Sequence, residues 1–225
     1  NLSGLPEDIN KLVKLKSLNL SSNGIQSLPE TFGELYTLAH LSLHSNELAE
    51  LPNSIGGLDN LVELNLSDNS LTTLPESIQG MQDLKVLQVG SNQLSSVPSE
   101  LGKLSKLEQL TLENNKLTAL PKGIGDLQNL KSLFAGNNQI EEISNDLAGM
   151  DSLRSLILSN NSLQKLPTSI GKLKNLRLLG LESNRIDELP KNLKDLTKVN
   201  SLFLSDNQLT SLPKDIEKMS SLVYL

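Results

Sequence analysis

The chain has 225 residues, of which 37% are hydrophobic but only 2% aromatic; it holds 52 leucines, no cysteine, and a formal charge of -6. Without cysteine there is no disulfide scaffold, Cys-based zinc site or thiol nucleophile, and two histidines leave little room for a His-rich metal centre. A sequence pI near 5.0 argues against a general nucleic-acid or anionic-membrane binder, and no apolar run approaches the roughly 18 residues that span a bilayer.

The charge is graded along the chain. Residues 1–115 carry 14 acids and 6 bases, net -8, and residues 116–225 carry 12 acids and 14 bases, net +2, which together give -6. That pattern predicts a graded surface rather than two domains.

Periodicity organises everything else. Asparagines recur at Asn23, Asn46, Asn69, Asn92, Asn115, Asn138, Asn161, Asn184 and Asn207, each 23 residues after the last. All nine prolines share one slot, at Pro6, Pro29, Pro52, Pro75, Pro98, Pro121, Pro167, Pro190 and Pro213, with Ser144 in the remaining place. One unit reads L-x-x-L-x-L-x-x-N-x-[LI]-x-x-L-P-x-x-I-G-x-L-x-x, as in Leu61, Leu64, Leu66, Asn69, Leu71, Leu74, Pro75, Ile78 and Met81.

Each part of the unit has a physical reading. L-x-L alternates with period two, so its leucines face one side of a short strand and the intervening residues face the other. One unit cannot bury its leucines alone, but stacked units share a continuous core. With strands about 4.8 Å apart, ten coils make a rod roughly 45 Å long, bent into an arc with the strands on the concave side. The ladder asparagine offers donors and an acceptor to backbone groups that no sheet pairs. Leu-Pro then stops strand pairing, because proline lacks an N–H. The following x-x-I-G-x-L suits a single turn of 3₁₀ helix. The repeated Leu, Ile, Asn and Pro residues are framework, not functional candidates.

On these motifs the sequence resembles the leucine-rich repeat family over its whole length. The resemblance implies an α/β repeat fold: a curved solenoid with a parallel concave β-sheet and short helical or 3₁₀ turns on the convex side. We expect a single solenoid over 1–225, with eight full repeats plus partial ones at both ends. Residue 1 falls inside a unit and Leu225 inside a strand, so we also expect a piece of a longer protein. The Leu-Pro and Ile-Gly pattern is similar to an intracellular, 23-residue subclass. It includes Ras-pathway scaffolds, plant Ras-group proteins, Erbin and Scribble, and the repeats of Roco GTPases. Similar units occur in bacterial surface and effector proteins. The resemblance to the intracellular subclass implies a cytoplasmic protein that binds other proteins in signalling, with small GTPases or phosphatase subunits as plausible guests.

The residues outside the framework give little sign of chemistry. No phosphate-cradling glycine loop is present, because glycines such as Gly33, Gly56, Gly102, Gly125 and Gly171 occupy the turn slot. His40 and His44 fall on the second strand, facing solvent, about 13 Å apart and too far to share a metal. His40 is placed to meet Glu63 across the strands. We expect no enzyme, no cofactor, no metal and no small-molecule substrate.

The variable rows of the concave face are more telling. The row four before each ladder asparagine runs Asn19, Ser42, Asn65, Gln88, Thr111, Phe134, Ile157, Gly180, Phe203: polar for five repeats, then apolar. In the row six before, Leu178 lies beside Gly180, and Tyr224 lies one strand beyond Phe203. Phe134, Ile157, Leu178, Phe203 and Tyr224 thus form a nearly continuous apolar strip, the mark of an interaction site. Lys131, Arg154 and Arg177 border it on one side, and Glu113, Glu182 and Asp206 on the other, an apolar centre with a polar rim. Ala135 stands where leucine is usual and Ser144 replaces proline, so a local slip that tucks Phe134 inward competes with the outward reading. His40, His44, Glu63 and Asp68 line the N-terminal part of the face, where a second, polar partner could sit.

Three functions are compatible with these residues. The leading one is a non-catalytic scaffold that holds a protein on the concave face. The others are a docking arm of a larger Roco GTPase or kinase, and a structural component of a large assembly or bacterial surface.

Overall fold

The computed structural model describes the backbone of residues 1–225 and every side chain except that of Asp146. Nine strands form one sheet in strict chain order. They are β1 (Ser17–Asn19), β2 (His40–Ser42), β3 (Glu63–Asn65), β4 (Val86–Gln88), β5 (Gln109–Thr111), β6 (Ser132–Phe134), β7 (Ser155–Ile157), β8 (Leu178–Gly180) and β9 (Ser201–Phe203). Every pairing is parallel and shifted by one repeat, so Ser17 lies beside His40, His40 beside Glu63, and Phe134 beside Ile157. Tyr224 adds a single bridge to Ser201 beyond β9. The arrangement is the repeat solenoid that the sequence implies.

The strands are three residues long because only the x-L-x core of each unit alternates. The middle leucine, for example Leu64, Leu110 or Leu156, points into the core and is at most 1% exposed. Its two neighbours face out of the sheet. Buried leucine and isoleucine from each coil stack on their equivalents in the next, forming one continuous core. Each such side chain removed from water contributes about 2 kcal/mol.

The asparagines join the coils. Asn92 is nearly buried, and its Oδ1 accepts the N–H of Leu71 one coil earlier at 2.9 Å. Its Nδ2 is shared between the carbonyls of Leu66 at 3.0 Å, Val89 at 3.2 Å and Gly90 at 3.1 Å. One amide therefore serves its own turn and the coil before it. The residue preceding each ladder asparagine is left-handed, with φ between 52° and 58° at Ser22, Ser45, Asp68, Ser91, Asn114, Asn137, Asn160, Ser183 and Asp206. All nine are small polar residues. Asparagine and aspartate are among the few non-glycine types that tolerate this region readily.

The opposite side carries the expected 3₁₀ turns, three to five residues each, such as Glu30–Glu34 and Thr168–Lys172. Proline directly precedes most of them, with φ of -67° at Pro29, and its carbonyl accepts the first helical bond, from Phe32 at 2.9 Å. The proline does more than end strand pairing; it sets the entry angle of the turn. Ser144 does not abolish the element, since a 3₁₀ turn still forms over Asn145–Gly149. Phe32 fills the isoleucine slot of its turn and is fully buried, whereas Tyr36 on the same coil is 52% exposed.

Candidate protein-binding face

Along β6–β9 the outward row is Phe134, Ile157, Gly180 and Phe203, with each residue in register with the next. The feared slip does not occur. Leu133 is buried and Phe134 is half-buried on the outer face, in register between Thr111 and Ile157. Ala135 itself is fully buried and leaves the strand undisturbed. Phe134 and Ile157 are partly covered by their neighbours, while Phe203 is 37% exposed.

Gly180 is no gap in the row. A β-carbon built there would stand 2.8 Å from Cδ1 of Ile157, so the isoleucine of β7 leans over the glycine of β8. In the neighbouring row Leu178 is half-buried between Ser155 and Ser201. Tyr224 is 62% exposed, and its backbone N–H and C=O bond to Asn200 and Leu202, both at 2.9 Å. Ser201 separates Leu178 from Tyr224, so the strip is continuous along the Phe134–Phe203 row and stepped beside it.

The rim is asymmetric in a way that the sequence alone does not reveal. Lys131 pairs with Glu108 on the preceding repeat at 2.5 Å. The hydrogen bond from Lys131 holds the Glu108 carboxyl below the usual carboxylate range, against the opposing effect of desolvation. Arg154 and Arg177 are exposed, and no carboxylate lies within ion-pair distance of either among the described residues. With Lys131, Ser152 and Asn175 they line a shallow cleft of about 180 Å³. On the far rim, Ser159 Oγ donates to Glu182.

At the other end of the sheet, His40 Nδ1 lies 3.2 Å from Glu63 and His44 Nδ1 lies 3.3 Å from Asp68. The first contact is the expected cross-strand pair. His44, however, lies beyond the end of β2, in the turn leading to Asn46, rather than on the strand. The short strand explains this: the left-handed residue at Ser45 already requires the chain to turn. A hollow of about 260 Å³ runs across β1–β4, lined by Ser17, Asn19, His40, Ser42, Glu63 and Asn65 among others. Among the described residues no group of three or more His, Asp or Glu could hold a metal ion, and no helix is long and apolar enough to cross a membrane.

Nine parallel strands stacked at a fixed 23-residue period, each facing out with its own pair of variable side chains, define a protein built to present one broad surface. The chain belongs to the leucine-rich repeat family: a profile for the leucine-rich repeat region matches residues 3–112, 63–165 and 135–225. Among solved structures it is similar to a leucine-rich repeat protein of Leptospira interrogans, with 36% identity and a TM-score of 0.91; the match covers 100% of this chain and 63% of that one. It is also similar to the plant peptide hormone receptor RGFR1, solved in complex with RGF2, with 26% identity, a TM-score of 0.80, and coverage of 99% and 41%. PEPR1–AtPEP1 shares 32% identity at a TM-score of 0.77, with coverage of 97% and 36%. The chain thus spans less than two thirds of each of these proteins. A comparison with curated proteins found no match.

Proposed function

We propose that this chain is a non-catalytic protein-binding scaffold that holds its partner against the outer face of β6–β9. One observation carries the reading: the outward row changes from polar residues in β1–β5 to Phe134, Ile157 and Phe203 in β6–β9, with no framework reason for the change. Exposed apolar side chains in a contiguous row mark interaction sites, and aromatic anchors dominate interface energetics. The complex of RGFR1 with RGF2 lends support, as a related solenoid of this family that engages a partner. Similarity to the 23-residue intracellular subclass favours a cytoplasmic setting in signalling, with a small GTPase or phosphatase subunit as the class of guest.

The test is a paired substitution. Ile157→Ser with Phe203→Ser removes apolar area from the outer face while leaving the buried leucines in place. Binding of a captured protein partner, measured by pull-down and titration calorimetry, is expected to disappear while the circular dichroism spectrum and melting curve persist. Unchanged affinity in the folded double variant would remove the reading.

A further inference from the structure

The edge beside the strip poses a problem that folding does not solve. Lys131, Arg154 and Arg177 occupy one position on three successive repeats, so parallel stacking sets neighbours only about 4.8 Å apart at the backbone. Like charges stacked across strands are destabilising. Some cations on this chain are paired across coils: Lys106 with Asp83, Lys174 with Asp195, and Lys194 with Asp215. Lys131 has Glu108. Lys16, Lys85, Arg154 and Arg177 in this row have no carboxylate within ion-pair distance among the described residues, and of these only Arg154 and Arg177 stand on adjacent repeats.

Their surroundings are fixed and donor-rich. The Arg154 carbonyl accepts the N–H groups of Arg177 at 2.8 Å and Leu178 at 3.0 Å, which holds the backbone between them. Asn175 is held by its amide on the Asp151 carbonyl at 2.8 Å and by Lys198 Nζ on its Oδ1 at 2.7 Å. The Ser152 hydroxyl in the same cleft has no protein partner among the described residues. Arg154 directly precedes β7 and Arg177 directly precedes β8, so the two arginines stand at the edge of the sheet from which Ile157 and Leu178 face outward. A guanidinium presents a rigid fork of donors that matches a carboxylate in two-point contact.

We propose that this edge takes the carboxylate side chains of an acidic, apolar protein segment, whose aromatic or aliphatic residues lie on Ile157, Leu178 and Phe203. The opposite rim of Glu182 and Asp206 excludes acids from that side and so fixes which edge of the segment faces Arg154 and Arg177. The proposal rests on the protein-binding reading above and adds the chemistry of the partner.

The probe is a displayed library of short random-sequence peptides, selected on the intact chain and followed by calorimetry with the enriched peptides. The expected consensus combines Asp or Glu with Phe, Leu, Ile or Trp. Those peptides bind the variant carrying Arg154→Glu and Arg177→Glu about tenfold or more weakly at low salt. Peptides with Lys in place of the acids regain binding to that reversed variant. Enriched peptides that need Ile157 and Phe203 but carry no excess of acids, or that bind the reversed variant equally well, overturn this inference and leave the scaffold reading standing. Acidic peptides that bind without apolar residues overturn it as well. Failure of both readings shows as no enrichment, or as binders indifferent to Ile157→Ser with Phe203→Ser.

Discussion

Cδ1 of Ile157 lies 2.8 Å from the point where a β-carbon on Gly180 would stand. The glycine of β8 is the seat for the isoleucine of β7, and this contact joins Phe134 and Phe203 into one row. Replacing Gly180 by alanine therefore moves Ile157 before it disturbs the fold. The atom met is the free end of a side chain, and alanine in a strand recovers roughly 0.5–1 kcal/mol of backbone entropy. Urea melts of Gly180→Ala should stay within about 1 kcal/mol of the parent, while the Ile157 δ-methyl NMR signal shifts. An unshifted methyl would show that the contact is absent.

Asn115 is the strictest test of the ladder. It accepts the Leu94 N–H at 3.0 Å and donates to the carbonyls of Val89 and Leu112, each at 3.0 Å, in a nearly buried site. Asn115→Ala leaves several backbone groups unpaired, at about 1–3 kcal/mol each for those that water cannot reach. We expect a loss of about 3 kcal/mol by denaturant titration. Asn23→Ala, at the more open first coil, should cost clearly less. Equal losses at both positions would refute the account of the asparagines as links between coils.

The turn glycines are a matter of space. A β-carbon on Gly33 would sit 1.9 Å from the Ser54 carbonyl oxygen, which is backbone and cannot move aside alone. Gly33→Ala should cost about 1–3 kcal/mol, the range for overpacking. Gly4 has nothing within 4 Å of a new β-carbon, so Gly4→Ala should change stability by less than about 0.5 kcal/mol. Paired thermal melts decide the matter.

The Lys131–Glu108 pair gives a pH signature. Because the bond from Lys131 lowers the Glu108 pKa in the folded state, its stabilisation is present above the ordinary carboxylate value and lost as pH falls through the lowered one. Both side chains are more than a third exposed, so the contribution at neutral pH is small, about 0.5 kcal/mol. Glu108→Gln should melt slightly below the parent near neutrality and coincide with it in acid. A gap that stays constant into acid contradicts the assignment.

The fold is legible because asparagine recurs every 23 residues without a break and every proline falls in a single slot, which leaves one way to stack the coils. The outward rows could be read by counting back from each asparagine, which is why Phe134, Ile157 and Phe203 were found together. Other features depend on geometry between coils. Asn92 reaching the Leu66 carbonyl, 26 residues earlier, follows from stacking and not from local pattern. The left-handed turns have a weak sequence signal, since serine, asparagine or aspartate precedes every ladder asparagine. They also explain why His44 falls outside its strand. That Lys131 is engaged while Arg154 and Arg177 are free depends on one residue, Glu108, standing a repeat away from the first and out of reach of the others.

The central claim is that the partner lies on the face of β6–β9. Photocrosslinking tests it most directly, with a photoreactive phenylalanine analogue placed at position 203 and, in a second sample, at position 36. Both sites are aromatic and solvent-exposed, but Tyr36 belongs to the coil of β2 on the helical side. The account predicts partner adducts from position 203 and none from position 36. Adducts from position 36 with none from position 203 would contradict it.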